Sequence, residues 1–268
     1  MTLLLRPLTA TLVLAAILTL PLAASAQQAK SRLFDITKSG KLRVCALTDY
    51  YAISIRQPQT GKLVGLDADM AAELAQSLGA ELQVVETSFA NFTADLQSNK
   101  CDIAMSGFGA TLKRAQAVEF SKPYLITGIM AVARKGGKIA KWEDIDQPGN
   151  RVGVLLGSYI EPFIKSYFKK ATVVAVQPPA SREGELMARR ADAVIADFPT
   201  ALKVQETFDW AAIVSPPDKL VATPFAYAVY PGDQIWLNYV NLFVDTIKTS
   251  GALERSAETH HLKSILAP

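Results

Sequence analysis

Two stretches of this chain carry the residue types that grip a charged small molecule. The first is Ser106-Gly-Phe-Gly109 followed by Thr111-Leu-Lys-Arg114. An arginine holds a carboxylate with two parallel charge-assisted hydrogen bonds, and nearby hydroxyls and backbone N–H groups suit the same anion. The second is Asp197, which ends the apolar run Ala193-Val-Ile-Ala196. A carboxylate there suits an ammonium. A ligand that satisfies both ends has the shape of an α-amino acid zwitterion. Gly157, Ser158 and Tyr159 stand where a helix is expected to begin, and helix N-termini also receive anions.

Other chemistries are poorly supplied. The chain has two His and two Cys, at spacings that fit no zinc finger, iron–sulfur or c-type haem motif. No nucleophile–base pair stands out, so no catalytic residue, cofactor or metal is expected. The net charge of +3 comes without a dense basic patch, which argues against nucleic acid. Half of the 268 residues are hydrophobic, enough to bury a sizeable core over one large or two smaller domains.

The elements that must position these residues alternate. Residues 1–26 read as a secretory signal peptide: Arg6, the apolar run Leu8 to Leu22, and the cleavage site Ala24-Ser-Ala26. The apolar run is short for an uncleaved anchor and lacks a stop-transfer flank. Removing Arg6 with that segment leaves a charge of 27 − 25 = +2 on 268 − 26 = 242 residues. Strands are then expected at 42–47, 81–85 and 102–105, with helices at 65–79 and 92–98 between them. A second series has strands at 152–156, 172–176 and 193–196, with helices from Ser158 to about Lys169 and from Glu183 to Arg190. Each series is a βαβαβ unit, which implies a parallel sheet. Extended segments at 126–133 and 225–230 would cross between the units before a C-terminal helical region at 236–262. The expected fold is therefore α/β and two-lobed: 27–126 plus 226–268 form lobe 1, and 127–225 form lobe 2. Ligands bind such open sheets at the carboxyl ends of the strands, here across a cleft that closes by a hinge.

Three ordered motifs give this reading a family. Gly61-Lys-Leu-Val-Gly-Leu-Asp-Ala-Asp-Met70 comes first. Asp102-Ile-Ala-Met-Ser-Gly107 follows, with Thr111 to Arg114 and Val118-Glu-Phe-Ser-Lys-Pro-Tyr124. Ala191-Asp-Ala-Val-Ile-Ala-Asp197 is the third. Together they resemble the signatures of family 3 periplasmic solute-binding proteins, which have a type II periplasmic-binding-protein fold and serve ABC importers. The resemblance implies an exported monomer that delivers a small amino acid or carboxylate to a permease in the inner membrane, and not an enzyme. By the same resemblance Arg114 would bind the α-carboxylate and Asp197 the α-ammonium. Tyr50 and Phe89 would sandwich the ligand. Ser106, Gly107, Thr111, Ser158 and Tyr159 would add polar contacts. Two departures stand out: Tyr51-Ala-Ile53 where many members have Pro-Pro-Phe, and Gly109 where many have Ser or Thr.

Two sibling groups are weighed against this. Cyclohexadienyl dehydratases share the fold but carry a catalytic Glu three residues after the second-lobe Asp; here that position is Thr200. A threonine hydroxyl is a poor general acid at working pH. Binding-like proteins that accompany periplasmic quinoprotein dehydrogenases often share Leu42-Arg-Val-Cys-Ala46 and Cys101-Asp102, yet usually lack the Thr111-to-Arg114 element. Plainer roles are also open. Pairing with a surface acid such as Glu119 is the plain role for Arg114. Asp197 and Ser158 can cap helices, and Tyr50 and Phe89 can be core. Cys45 and Cys101 lie on neighbouring strands, where export permits a disulfide; otherwise they are two small buried side chains. His260 and His261 are expected to face solvent.

Overall fold

The computed structural model describes residues 30–217 and 220–268. The signal peptide expected at 1–26 lies outside the described residues. Two five-stranded sheets organise the rest. In the first, Glu81–Glu86, Lys41–Ala46 and Ile103–Ala104 run parallel, and Ala228–Val229 and Glu119–Phe120 continue it antiparallel. In the second, Thr172–Val176, Arg151–Leu155 and Ala193–Asp197 run parallel, followed by the antiparallel strands Ile129–Arg134 and Ala211–Val214. Both sheets are therefore mixed rather than purely parallel as the sequence suggested. Ile129–Arg134 and Ala228–Val229, which end the two crossings, pair antiparallel onto the open edges of the parallel strands, and Ala211–Val214 and Glu119–Phe120 then pair onto them, which leaves fewer unpaired backbone groups.

The crossings pair with each other. Leu125–Thr127 lies antiparallel to Thr223–Phe225 between the two sheets. Buried Tyr124, Phe225 and Tyr227 pack this region, with Tyr124 and Tyr227 stacked at 4.4 Å. A small three-stranded sheet, Asp49–Tyr50, Ser54–Arg56 and Leu63–Val64, was not read from the sequence. It fixes the backbone that presents Tyr50.

Local sequence explains the elements that hold the site. Ala193–Asp197 is buried at all five positions, as expected of a central strand covered on both faces. Helix Leu66–Ser77 buries Leu66, Met70 and Leu74 at four-residue spacing, and carries Asp67 and Asp69 in its first turn, where the helix dipole favours anions. Gly65 precedes it because nothing else fits: its φ is +127°, and a Cβ would fall 2.5 Å from the Ile53 carbonyl oxygen. Cys45 and Cys101 form a disulfide, with Cα atoms 5.6 Å apart and both side chains buried. The bridge ties the strand Lys41–Ala46 to the segment entering its neighbour. His261 is exposed, as expected, while His260 is partly buried: its Nε2 lies 3.0 Å from Asp69 Oδ2, linking the C-terminal region to helix Leu66–Ser77.

Candidate functional site

The carboxyl ends of the central strands from both sheets meet. On the first-sheet side, Arg114 opens a single helical turn, Arg114–Gln116, and its backbone N–H donates to the Thr111 hydroxyl at 3.2 Å. Its guanidinium donates to the Gly109 carbonyl at 2.9 Å and, across the cleft, to the Gly157 carbonyl at 3.0 Å. The guanidinium also sits 5.0 Å from the Phe92 ring centroid. No carboxylate among the described residues lies within 4.0 Å of it, Glu119 included. The plain surface-pair role is thereby ruled out. Burial disfavours the charged form and pulls its pKa down to about 10. This is a cation partly stripped of water, with no counter-charge at hand.

Facing it is Asp197, buried at the end of its strand. One carboxylate oxygen accepts from the Thr200 backbone N–H at 3.2 Å, which makes Asp197 the N-cap of helix Phe198–Thr207. The other accepts from the Tyr50 hydroxyl at 2.6 Å, across the cleft. Capping and facing the cleft thus coexist. Burial, then the Asp197 charge, raise the Tyr50 pKa well above its ordinary value, so Tyr50 stays a neutral donor. Phe89 packs edge-on to Tyr50 at 5.5 Å and to Phe108 at 5.8 Å.

Several expected polar contacts turn inward instead. The Ser106 hydroxyl accepts from the Leu47 N–H at 2.9 Å and shares a hydrogen bond with Ser54 at 2.6 Å. The Gly107 N–H donates to Asp67 Oδ2 at 2.7 Å and to the Tyr124 hydroxyl at 3.1 Å. These groups build the floor of the site. Ser158 does not cap the following helix, as it was expected to: Tyr159 occupies the N-cap position of Ile160–Tyr167, and the Gly157 N–H donates to Glu161 at 2.7 Å. Glu161, in the first turn of the helix, instead ties back the Gly157 N–H that precedes it. Ser158 Oγ and the Tyr159 hydroxyl are both buried without a hydrogen-bond partner. Such groups are costly unless something pairs with them.

Gly109 explains its departure from the family pattern. The Tyr159 ring lies against it, so a Cβ there would stand 2.8 Å from a ring carbon. Tyr159 also packs edge-on to Phe225 at 5.9 Å. Glycine makes room for an aromatic ring contributed from the facing side.

Beside this cluster opens a cavity of about 140 Å3. Leu47, Tyr50, Tyr51 and Phe89 line it from one side, and Arg182, Thr200 and Lys203 from the other. Of the expected ligand contacts, only Tyr50 and Phe89 reach this space. Tyr50 borders both, lining the cavity and giving its hydroxyl to Asp197. Arg182 and Lys203 escaped the sequence reading. They fall on no motif: Arg182 at a helix start and Lys203 within helix Phe198–Thr207 look like any surface cation.

Comparison with known proteins places the chain among relatives. The profile of the bacterial extracellular solute-binding proteins, family 3, matches residues 42–263. Cyclohexadienyl dehydratase of Pseudomonas aeruginosa is 33% identical over 245 residues, covering 91% of each chain. The L-cystine-binding protein TcyJ of Escherichia coli is 27% identical, covering 75% of this chain and 76% of that one. Among solved structures, the ancestral amino acid-binding protein AncCDT-1, a precursor of cyclohexadienyl dehydratase, superposes with a TM-score of 0.78. It is 31% identical and covers 86% of this chain and 99% of its own.

Proposed function

Since this chain belongs to the bacterial extracellular solute-binding proteins of family 3, with their type II binding-protein fold, we propose that it captures an amino-acid-like zwitterion by closing two lobes over it. Lobe 1 comprises 27–126 plus 226–268, and lobe 2 comprises 127–225. The chain works in the periplasm as a monomer, after cleavage following Ala26, and passes its ligand to an ABC permease. The observation that carries the reading is Arg114: a half-buried guanidinium with no carboxylate partner among the described residues, across the cleft from Asp197. A ligand carboxylate would pair with Arg114 and with the unpartnered Ser158 and Tyr159 hydroxyls. The ammonium would join Tyr50 and Thr200 on Asp197. Arg114 comes from lobe 1 and Asp197 from lobe 2, so only the closed state lets one small ligand hold both. That differential affinity is what shifts the hinge equilibrium.

The 33% identical dehydratase favours a second reading, an exported enzyme acting on prephenate or arogenate. The cleft's acid–base groups support binding instead. Thr200, where the dehydratases carry their acid, accepts a hydrogen bond from Arg182 at 3.0 Å. Glu183 lies in the cavity wall, 3.0 Å from Lys203. Burial would raise its pKa, but its backbone amide and the Lys203 ammonium outweigh that and hold it below the usual carboxylate range. An acid kept ionised at neutral pH is a poor proton donor to a leaving hydroxide.

Calorimetric titration tests the pair. Arg114→Ala and Asp197→Ala should each weaken binding of whichever free amino acid binds the wild type best by about 30-fold or more, the usual cost of removing one partner of a buried charge pair. Wild-type affinity in both variants would reject the zwitterion reading.

A further inference from the structure

The cavity beside Tyr50 holds a second cation whose charge the zwitterion clamp does not use. Arg182 opens the helix Arg182–Met187 and is half-buried in the cavity wall. Its guanidinium donates to the Thr200 hydroxyl at 3.0 Å and, at the long distance of 3.4 Å, to the Ile195 carbonyl. An arginine has five N–H donors, so most of its capacity is uncommitted. No carboxylate among the described residues lies within 4.0 Å of it.

The other cation of the cavity wall is already matched. Lys203, also in the wall, is paired with Glu183 at 3.0 Å. Glu206, near the mouth, accepts a hydrogen bond from the Tyr51 hydroxyl. Asp49 sits on the rim and is exposed to water. Asp197 already receives Tyr50 and Thr200. Thr200 links the two ends of the site: its N–H is held by Asp197, and its hydroxyl is held by Arg182. Tyr50 and Thr200 both line the cavity and both donate a hydrogen bond to Asp197. A ligand whose ammonium sits on Asp197 can therefore extend past Tyr50 and Phe89 toward Arg182 with only a short side chain.

We infer that the cleft takes an acidic ligand, with Arg182 as a second anchor that receives an anionic group beyond the α-carboxylate. This inference rests on the zwitterion reading and specifies its ligand class. The planar guanidinium suits a carboxylate in the bidentate manner. A cationic side chain would instead meet Arg182 with like charge, and a neutral one would leave the donors unpaired.

Titration of the mature chain with L-glutamate, L-aspartate, glutamine, asparagine and glutarate tests this. One acidic amino acid should bind at least about tenfold more tightly than its amide, a difference expected of one well-formed charged contact. In Arg182→Gln that ratio should fall to near one because the acid loses its charged contact, and Arg182→Lys should restore part of it. A circular-dichroism spectrum and thermal midpoint like those of wild type show that the variant is folded. A wild-type ratio near one, or a ratio that survives Arg182→Gln, overturns the second anchor. If an amino acid still binds through Arg114, the zwitterion reading stands alone. Glutarate bound through Arg182, with no amino acid bound, supports the anchor and overturns the zwitterion reading. Binding by none of the five at millimolar concentration overturns the acidic-ligand inference, and the wider amino-acid panel then decides the zwitterion reading.

Discussion

Arg114 and Asp197 were legible because each ends a recognisable pattern. One closes a Thr-x-x-Arg turn, and the other ends an apolar strand. The hydroxyls and amides beside them were legible as residues but not as roles. Ser106 and Gly107 have the chemistry to hold a carboxylate, yet nearer partners claim them first, in Ser54, Leu47, Asp67 and Tyr124. Sequence spacing cannot rank those competing partners. Gly109 makes the complementary point, since its missing side chain looked like a loss until the Tyr159 ring was seen filling the space. Gly109→Ser should therefore strain the chain rather than restore a contact. The added Cβ must displace a packed ring, and overpacking of this kind costs roughly 1–3 kcal/mol. Denaturant unfolding measures it; unchanged stability would mean that the ring moves aside freely.

At the scale of elements, the alternation of strands and helices was readable from periodicity and glycine stops. The antiparallel edges were not: Ala228–Val229 and Glu119–Phe120 are too short to carry a period, and the six residues Ile129–Arg134 read as an extended segment, whose direction of pairing no period reveals. The small sheet that presents Tyr50 was missed because its strands too are short. One coupling between elements has a pH signature. Asp67, on helix Leu66–Ser77, holds the Gly107 turn that packs under the Tyr50 ring. Burial pushes its carboxyl up to about 7, against hydrogen bonds from Tyr124 and Gly107 that favour the ionised form. The unfolded chain has the ordinary value, near 4. The folded state thus holds this proton more tightly than the unfolded chain does. Its contribution to stability is greatest below about pH 4, falls as pH rises to about 7, and is level above that. The difference amounts to about 4 kcal/mol at most. Asp67→Asn should flatten the pH–stability curve between those limits relative to wild type; parallel curves for the two proteins would refute it.

At the scale of the whole molecule, the paired crossings Leu125–Thr127 and Thr223–Phe225 are the links between the sheets, and beside the packing of the Tyr159 ring on Gly109 the cleft is held by a few hydrogen bonds. Tyr50 reaches Asp197, Arg114 reaches the Gly157 carbonyl, and Tyr51 reaches Glu206. Such contacts break and reform at small cost, since each exchanges with water. The two-lobed plan could be read from the repeat of two βαβαβ units, whereas the position of the cavity relative to Arg114 could not. It depends on where Tyr50 and Tyr159 place their rings, which is a property of packing across the cleft. The central claim is that this cleft recognises both charges of a zwitterion. Calorimetric titration of the mature chain against the twenty amino acids, with the N-acetyl and carboxamide derivatives of the best binder, tests it most directly. At least one free amino acid should bind saturably, and blocking either its ammonium or its carboxylate should weaken binding by about tenfold or more. Equal binding of the blocked derivatives, or no binding by any free amino acid, would contradict it.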